Sequence, residues 1–316
     1  MMKQQSWIDR NDETIALINE RGQIEFQPQL DVDRMYFPSY GLTQVKREGR
    51  FGYVNQFGNL VIPFRFAKAY PFSENGLAFV VEEKGGKGGY INREGEYVIP
   101  PRFDTGTPFK FGLAAVSNGG VYYYITPDGY PAINEKFLYA SEFADCGLAK
   151  VVDSSGRHVF MDNYSRIVLA MKKGNILLHF KEGGRAAVFN SKGRHVLIDA
   201  AGNIITRSYD NIRLYPYSHL HPFLLDGLWG YLNDRGEEVI PNIYEEVNPF
   251  NHLGYAKLKA FNPLAPNGQS EFYIDQHDQI ITPQKVERKL RRLTKQYQHI
   301  NAFQKGRALV RYTEEQ

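Results

Sequence analysis

The stretch that decides the fold of this chain runs from residue 51 to residue 80 and reads FGYVNQFGNL VIPFRFAKAY PFSENGLAFV. Short runs of β-branched and aromatic residues alternate in it with Gly, Pro and Asn, a pattern typical of short antiparallel strands joined by tight turns. The Val54-Asn55-x-x-Gly58 segment predicts a hairpin, in which Asn55 caps the turn and Gly58 adopts a positive φ.

The same pattern returns about every 36 residues, and a fixed period of this size is typical of solenoids and propellers. A glycine five residues before most anchors predicts a second hairpin in each unit. After the anchor turn come a β-branched pair, often followed by Pro, and then an aromatic residue ahead of a Gly-x-Ala-x-Val strand. Each unit therefore reads as three or four short strands. The eight anchors are Ile18, Val54, Ile91, Ile125, Met161, Ile198, Leu232 and Ile274.

These residues resemble the WG (KWG) repeats of bacterial proteins, whose unit runs Trp-Gly-Tyr-Ile-Asp, Val-Ile-Pro-Pro, Tyr-Asp and Phe-x-x-Gly-Leu-Ala-x-Val. The segment Trp229-Gly230-Tyr231 carries the eponymous pair, and Phe51-Gly52 is a close variant. The units anchored at Ile125, Met161 and Ile198 depart from the motif in residue type and keep only its phase. The resemblance implies a repeat scaffold over nearly the whole chain and implies little about activity.

We expect a single all-β repeat domain over residues 1–316. A sheet of a few short strands cannot bury its apolar face alone, so neighbouring units must pack on it. A closed β-propeller of eight units and an open β-solenoid both satisfy this condition. The termini favour the propeller, because the first unit begins directly with its anchor strand, and residues 303–312 supply a surplus strand that can complete the first unit.

A basic segment interrupts the last unit. Six basic residues stand against one acidic residue between positions 284 and 297, although the net charge of the chain is only +3. Apolar residues at spacings of four, three and four predict an inserted amphipathic helix over residues 284–299. Such a helix predicts either contact with a polyanion through residues 285–295 or a solvated outer face. Its candidate contact residues are Arg288, Arg291 and Arg292.

Composition bounds the location of the protein. The single cysteine, Cys146, excludes an intramolecular disulfide and any multi-cysteine metal site, and it indicates a reducing compartment. Residues 1–10 are polar where a signal peptide is apolar, and no apolar stretch approaches the roughly 20 residues that span a bilayer. We therefore expect a cytoplasmic protein without a membrane span.

Sequence motifs of catalysis are absent, so no catalytic residue, metal ligand or cofactor is assigned. The glycine-rich segment 85–89 falls in a repeat hairpin and lacks the Ser or Thr that ends a phosphate loop. The Asn and Asp residues that follow the anchors could line a cation-binding ring. Asx side chains also cap turns by accepting bonds from nearby backbone N–H groups, and we expect that local role.

The copy that departs most from the repeat spans residues 215–223. It holds the candidate binding residues Tyr215, Tyr217, His219 and His221. Histidines two residues apart on a strand share a face, as two metal ligands would, but no third ligand lies near them in sequence. A specialised ligand surface and simple sequence drift both remain open for this copy.

The leading functional hypothesis is a non-enzymatic scaffold that binds a protein or peptide partner. Fold-forming positions repeat along the chain, whereas loops such as residues 262–268 vary. One alternative is an enzyme whose site is assembled from loops of several repeats. Another is polyanion binding through the basic helix. The partner itself is not identified by the sequence.

Overall fold

The structure, a computed structural model, describes residues 13–19, 23–170, 184–190, 192–215, 218–250, 254–261, 269–281, 299–300 and 307–313. Within these ranges every regular element is a β-strand, which confirms the all-β class for this part of the chain. Residues 284–298 of the predicted helix, including Arg288, Arg291 and Arg292, lie outside them, whereas His299, its last predicted residue, begins a short strand. No helix in the described part of the chain is long and apolar enough to cross a membrane.

The strands are short, as the spacing of Gly, Pro and Asn predicts. Those up to residue 125 are β1 (Glu13–Asn19), β2 (Ile24–Phe26), β3 (Arg34–Met35), β4 (Leu42–Arg47), β5 (Arg50–Asn55), β6 (Leu60–Phe66), β7 (Lys68–Ala69), β8 (Ala78–Val81), β9 (Gly88–Ile91), β10 (Tyr97–Phe103), β11 (Thr105–Gly106), β12 (Ala114–Asn118) and β13 (Val121–Ile125). The others are β14 (Tyr139–Phe143), β15 (Leu148–Val152), β16 (His158–Asp162), β17 (Ile167–Ala170), β18 (Ala186–Phe189), β19 (His195–Ile198), β20 (Asn211–Ile212), β21 (Leu220–Leu225), β22 (Leu228–Asn233), β23 (Glu238–Tyr244), β24 (Glu246–Val247), β25 (Tyr255–Phe261), β26 (Gln269–Asp275), β27 (Ile280–Ile281), β28 (His299–Ile300) and β29 (Arg307–Thr313).

Across the described ranges these strands form eight small antiparallel sheets. Sheets 2 to 8 are meanders of consecutive strands, namely β3–β6, β7–β10, β11–β13, β14–β17, β18–β19, β20–β23 and β24–β27. Sheet 1 has the order β2-β1-β29-β28 and joins the two ends of the chain. There β1 runs antiparallel to β29, with Ala16 opposite Val310 and Asn19 opposite Arg307.

The anchor turns are capped as the Asx pattern predicts. The Oδ1 atom of Asn55 accepts hydrogen bonds from the backbone N–H groups of Phe57 and Asn59, at 3.0 and 3.1 Å. Because these side-chain oxygens are engaged within their own turns, they build hairpins, and this confirms the local role. The same pair of bonds forms at Asn92, Asp162, Asp199, Asn233 and Asp275, and also at Asp153 and Asn190.

The glycine of the Trp-Gly pair allows a close backbone approach. A Cβ atom at Gly89 would lie 2.4 Å from the carbonyl oxygen of Ile99, and one at Gly230 would lie 2.5 Å from that of Ile240. In both sheets the strand opposite is irregular, since β10 shifts register between Ile99 and Phe103. The glycine therefore accommodates a bulge at the Val-Ile-Pro segment, where proline is tolerated because it lies at a sheet edge.

The tyrosine after that glycine ties each such sheet to the next one. The Tyr53 hydroxyl donates to the carbonyl oxygen of Tyr70 at 2.7 Å, and its ring meets Phe72 edge-on, with 4.9 Å between centroids. The recurring aromatic of the Phe-x-x-Gly segment is thus a partner for the tyrosine of the preceding sheet. Equivalent hydroxyl-to-carbonyl bonds join Tyr90 to Thr107, Tyr124 to Ser141 and Tyr231 to Asn248, at 2.9, 2.8 and 2.7 Å.

The apolar core is divided among the spaces between consecutive sheets. One cluster packs Tyr90 of sheet 3 against Phe109 and Val116 of sheet 4, and the other described clusters are built in the same way. Trp229 of sheet 7 is buried in such a cluster with Ala256 of sheet 8. Neighbouring units therefore share their core, as short sheets must.

Candidate functional site

The two histidines predicted as binding residues meet a carboxylate that sequence spacing did not reveal. His219 Nδ1 lies 2.7 Å from Asp234 Oδ2, and His221 Nε2 lies 3.0 Å from Asp234 Oδ1. Asp234 stands in the anchor turn that follows β22, and β22 pairs with β21 so that Asn233 faces Leu220. Antiparallel pairing therefore brings the turn beside the start of β21.

One side of this His-Asp-His cluster faces solvent and the other is buried. The His219 side chain is 86% exposed, whereas that of His221 is 4% exposed. The Nε atom of Arg185 also donates to the backbone carbonyl of Asp234, at 2.9 Å. Both carboxylate oxygens of Asp234 are engaged by the imidazoles. The described residues contain no group of three or more His, Cys, Asp or Glu side chains arranged to hold a metal ion.

Of the two tyrosines predicted as binding residues, the structure describes one. Tyr215 is half-buried, and Tyr217 lies outside the described residues. The neighbouring Arg213 places its guanidinium over the Trp229 ring, 4.1 Å from the centroid. Cys146 is half-buried, and burial raises the pKa of its thiol above the ordinary value, which disfavours the reactive thiolate.

A cleft that the sequence did not predict lies elsewhere, where sheets 2 to 5 come together. Each of these sheets is a meander, so the connection between its first and second strands lies at the same end of every sheet. In sheets 2 to 5 these connections are residues 36–41, 70–77, 107–113 and 144–147, and we call this surface the loop face.

The cleft has two parts. A loop pocket of about 410 Å³ lies between the four connections of the loop face. It adjoins a large cavity of about 820 Å³ that runs along the first strands of sheets 3, 4 and 5. The two parts share Pro71, Pro108, Lys110, Glu142 and Asp145.

Side-chain bonds connect the loops that frame the pocket. The Ser39 hydroxyl donates to the carbonyl oxygen of Phe72 at 2.9 Å, which links sheets 2 and 3. The buried Ser73 hydroxyl accepts from the Phe109 N–H at 2.8 Å, and this bond links sheets 3 and 4. Lys110 of sheet 4 forms an ion pair with Asp145 of sheet 5. The loop face is therefore held together across four sheets.

The loop pocket carries two aromatic residues in a strained conformation. Tyr40 has a φ of 47° and Phe111 a φ of 52°, each directly before a glycine that also has a positive φ. A positive φ costs a residue other than glycine roughly 1–2 kcal/mol, and the turns that need it prefer Asn, Asp or Gly. Elsewhere in the described chain the positive-φ residues besides glycine are polar, namely Glu48, Ser165, Asp226 and Asp278.

The large cavity presents hydroxyl and ammonium groups. Its wall carries a pair of tyrosine rings, Tyr122 and Tyr139, with centroids 5.5 Å apart. Lys68 lies with its ammonium 5.2 Å from the centroid of the Tyr70 ring. Lys150 completes this set on the side of sheet 5.

Two acids face both parts of the cleft, Glu142 and Asp145, and Asp145 is paired with Lys110. Glu142 keeps an exposed surface, but partial removal from water raises the pKa of its carboxyl above the ordinary value of 4.5. Lys110 opposes this shift and Asp145 adds to it. Near its pKa, the Glu142 carboxyl group is therefore protonated to a greater extent than a fully solvated glutamate at the same pH.

Sequence reasoning missed this cleft because each of its residues looks ordinary within its own repeat. The one available signal was the residue before glycine in Ser39-Tyr40-Gly41 and Lys110-Phe111-Gly112. An aromatic residue at that position of a two-residue turn contradicts turn chemistry, and strain of this kind points to function.

The fold defines the chain as an all-β repeat protein whose small sheets share their cores. Three stretches, residues 51–87, 89–122 and 229–259, match the WG containing repeat. The chain therefore carries WG repeats in these regions, which confirms the resemblance noted from sequence. Among curated proteins no significant match is found.

Three solved structures illustrate what the chain is similar to. A eukaryotic initiation factor is 12% identical with a TM-score of 0.48, over 86% of this chain and 84% of that one. Hsv2 from Kluyveromyces lactis is 9% identical with a TM-score of 0.42, over 78% and 97%. BamB from Moraxella catarrhalis is 12% identical with a TM-score of 0.39, over 85% and 89%. These values say nothing about ligand or activity.

Proposed function

We propose that this chain is a scaffold that binds a segment of a partner protein in the cleft of the loop face. Its eight sheets are arranged in this proposal as the blades of a closed β-propeller in the cytoplasm. The pairing of β1 with β29 supports the ring, because it leaves neither terminal strand as a bare edge.

The ring has its own test. A compact shape of this length has a radius of gyration of about 20 Å, which small-angle scattering measures. Removal of residues 306–316 should also increase amide exchange in Ile15–Leu17, because β29 covers that strand. A rod-like scattering curve, or unchanged exchange in β1, would contradict the closed ring.

The observation that carries the binding function is the strained pair Tyr40 and Phe111. Tyr40 is 54% exposed and Phe111 is 43% exposed, so neither residue is retained for its burial in the core. Both line the loop pocket. Exposed aromatic rings held on a rigid frame are typical anchors of protein recognition, since they contribute large contact areas at low entropic cost.

The experiment compares binding and stability in one variant. The double variant Tyr40→Asn, Phe111→Asn relieves the strain, so its free energy of unfolding should stay the same or rise by about 1 kcal/mol. Short random peptides displayed on phage should be enriched by the native protein, and the enriched peptides should bind the double variant at least tenfold more weakly.

A matched control is available on the opposite end of the sheets. Glu48 and Asp226 occupy first turn positions with φ of 52° and 51°, away from the cleft. The control variant Glu48→Asn, Asp226→Asn should bind the selected peptides as the native protein does. Equal binding by all three proteins, or no enrichment at all, would sink the proposed function.

A further inference from the structure

We propose that the bound segment carries an acidic side chain, which enters the large cavity between Lys68 and Lys150 while a neighbouring apolar residue contacts Tyr40 and Phe111. This inference rests on the proposed peptide-binding function of the cleft and names the chemistry of its partner. It follows from which polar groups of the cavity remain unused.

The small hydroxyl groups of the cavity are already satisfied by the protein. Thr107 donates to the Pro108 carbonyl at 3.2 Å and accepts from the Ala115 N–H at 3.0 Å. Ser141 donates to the Glu142 carbonyl at 2.8 Å and accepts from the Lys150 N–H at 3.0 Å. These groups therefore shape the wall and are not available to recognise a ligand.

Apart from the Glu142 carboxylate, the groups left over are donors. Lys68 and Lys150 form no ion pair with another described residue, and the hydroxyls of Tyr70, Tyr122 and Tyr139 form no hydrogen bond with one. Ammonium groups only donate, and a phenol hydroxyl donates readily. A cavity lined by such groups is complementary to a carboxylate, which only accepts.

The charges of the cleft agree with this assignment. Lys110 is neutralised by Asp145, which leaves Lys68 and Lys150 against Glu142 alone. The raised pKa of Glu142 marks a site where a second negative charge is disfavoured unless the lysines offset it. Two cations are too few for a nucleic-acid backbone, whose binding requires a row of phosphate contacts. A single peptide carboxylate is the better match.

The partner chemistry can be read from two display libraries of short random peptides. They differ only at one central position, which is Asp or Glu in the first library and Asn or Gln in the second. The native protein should enrich the first library at least tenfold over the second, because a charge-assisted bond to lysine is lost with the isosteric amide. The enriched sequences should also carry an apolar residue close to the acid.

Lysine variants then locate the contact. Lys68→Met and Lys150→Met should each weaken binding of the selected acidic peptide about tenfold and reduce its salt dependence, whereas Glu142→Gln should strengthen it. Lys192→Met is the matched control, since Lys192 is exposed in the Asn190 turn at the opposite end of sheet 6. It should leave binding unchanged.

The outcomes separate the inference from the function on which it rests. Equal enrichment of both libraries, with binding still lost in Tyr40→Asn, Phe111→Asn, would overturn the acidic partner and leave the peptide scaffold standing. No enrichment of either library would overturn both. Retention of full acidic-peptide affinity by Lys68→Met and Lys150→Met would also overturn the inference. Binding of oligo(dT) with the same lysine dependence, and of no peptide, would identify a nucleic-acid site instead.

Discussion

Sheet 7 and sheet 6 build the same repeat with different residues. Sheet 7 uses Trp229-Gly230-Tyr231, whereas the same phase of sheet 6 holds His195-Val196-Leu197. Both sheets keep the Asx-capped anchor turn, at Asn233 and at Asp199. The turn and the strand pair that it closes therefore suffice to define a unit.

Sheet 6 lacks the tyrosine bond to its neighbour, although the Ile212 N–H of sheet 7 donates to His195 Nδ1 at 3.2 Å. Leu197 is fully buried but has no hydroxyl for the bond that Tyr231 makes to the Asn248 carbonyl. The residue at the phase of Gly230 is Val196, which is buried in a cluster with Leu148 and Phe160 of sheet 5. Between β19 and β20 no further strand pairs with β19. Only two isolated bridges form there, from Ile204 to Ile198 and from Tyr209 to His195. The Trp-Gly-Tyr segment is therefore needed for pairing with the fourth strand and for contact with the next sheet, whereas the hairpin that contains it forms without this motif.

The largest expected effect comes from the aromatic residue at the start of this segment. Trp229→Ala should cost about 3–5 kcal/mol of unfolding free energy, because a large buried ring leaves a cavity between sheets 7 and 8. His195→Ala at the same phase should cost about 1 kcal/mol, since that ring is half-buried, packs edge-on against Phe189 and accepts one hydrogen bond, from the Ile212 N–H. Urea unfolding measures both values. Equal losses of unfolding free energy would show that the two side chains contribute equally to stability.

Alanine at the second position should destabilise both sheets, by overcrowding in sheet 7 and by loss of packing in sheet 6. Gly230→Ala places a Cβ atom against the Ile240 carbonyl, so we expect a loss of about 1–3 kcal/mol with displaced amide signals along β23. Val196→Ala removes buried methyl groups and should cost a similar amount without disturbing any neighbouring backbone signal. If Gly230→Ala is silent, close approach does not constrain the repeat.

Removal of the tyrosine hydroxyl should have a smaller effect. Tyr231→Phe and Tyr53→Phe should each cost about 1 kcal/mol, because each leaves a carbonyl oxygen without its donor. The two losses should add, since the sites share no residue. Tyr130→Phe, at a ring that is 71% exposed, should leave the unfolding free energy unchanged. A loss at Tyr130 comparable to the others would argue against the inter-sheet bond.

The smallest expected effect is a difference in acid stability between repeats whose turns are capped by Asn and repeats whose turns are capped by Asp. The matched repeats cap their turns with Asn55, Asn92 and Asn233, whereas the divergent region uses Asp153 and Asp199. A bond from the Asn203 side chain, followed by backbone N–H bonds, holds the pKa of Asp199 below its ordinary value of 3.8. The pKa of Asp153 is lowered mainly by the Ser155 hydroxyl and the Arg157 N–H.

The sign follows from proton binding. A lowered pKa in the folded protein means that the unfolded chain binds more protons, so this contribution is present above pH 3.8 and is lost as the pH falls through the folded-state pKa. The variant Asp153→Asn, Asp199→Asn should therefore unfold at a lower pH than the native protein. An unchanged acid midpoint, followed by circular dichroism, would show that other carboxylates dominate acid unfolding.

Some features of the candidate sites depend on residues close in sequence, and others depend on contacts between distant residues. The spacing of His219 and His221 predicted a shared face, because side chains two residues apart on a strand share one. In the structure His221 lies in β21 and His219 lies just before that strand. Asp234 was not predicted, because it joins them only when β21 pairs with β22. The cleft was still harder to foresee, since Tyr40, Phe111 and Lys150 come from three different units.

Sequence alone determined the all-β class, the repeat and its anchors, and the capped turns, because these depend on interactions within a few residues. The surplus strand at the end of the chain already indicated that it could complete the first unit, but only the tertiary structure decided its register with β1. Only the tertiary structure also decided that each tyrosine bonds to the next sheet and that four loops enclose one cleft. Those contacts join residues distant in the chain, and their geometry is set by how the sheets pack on one another.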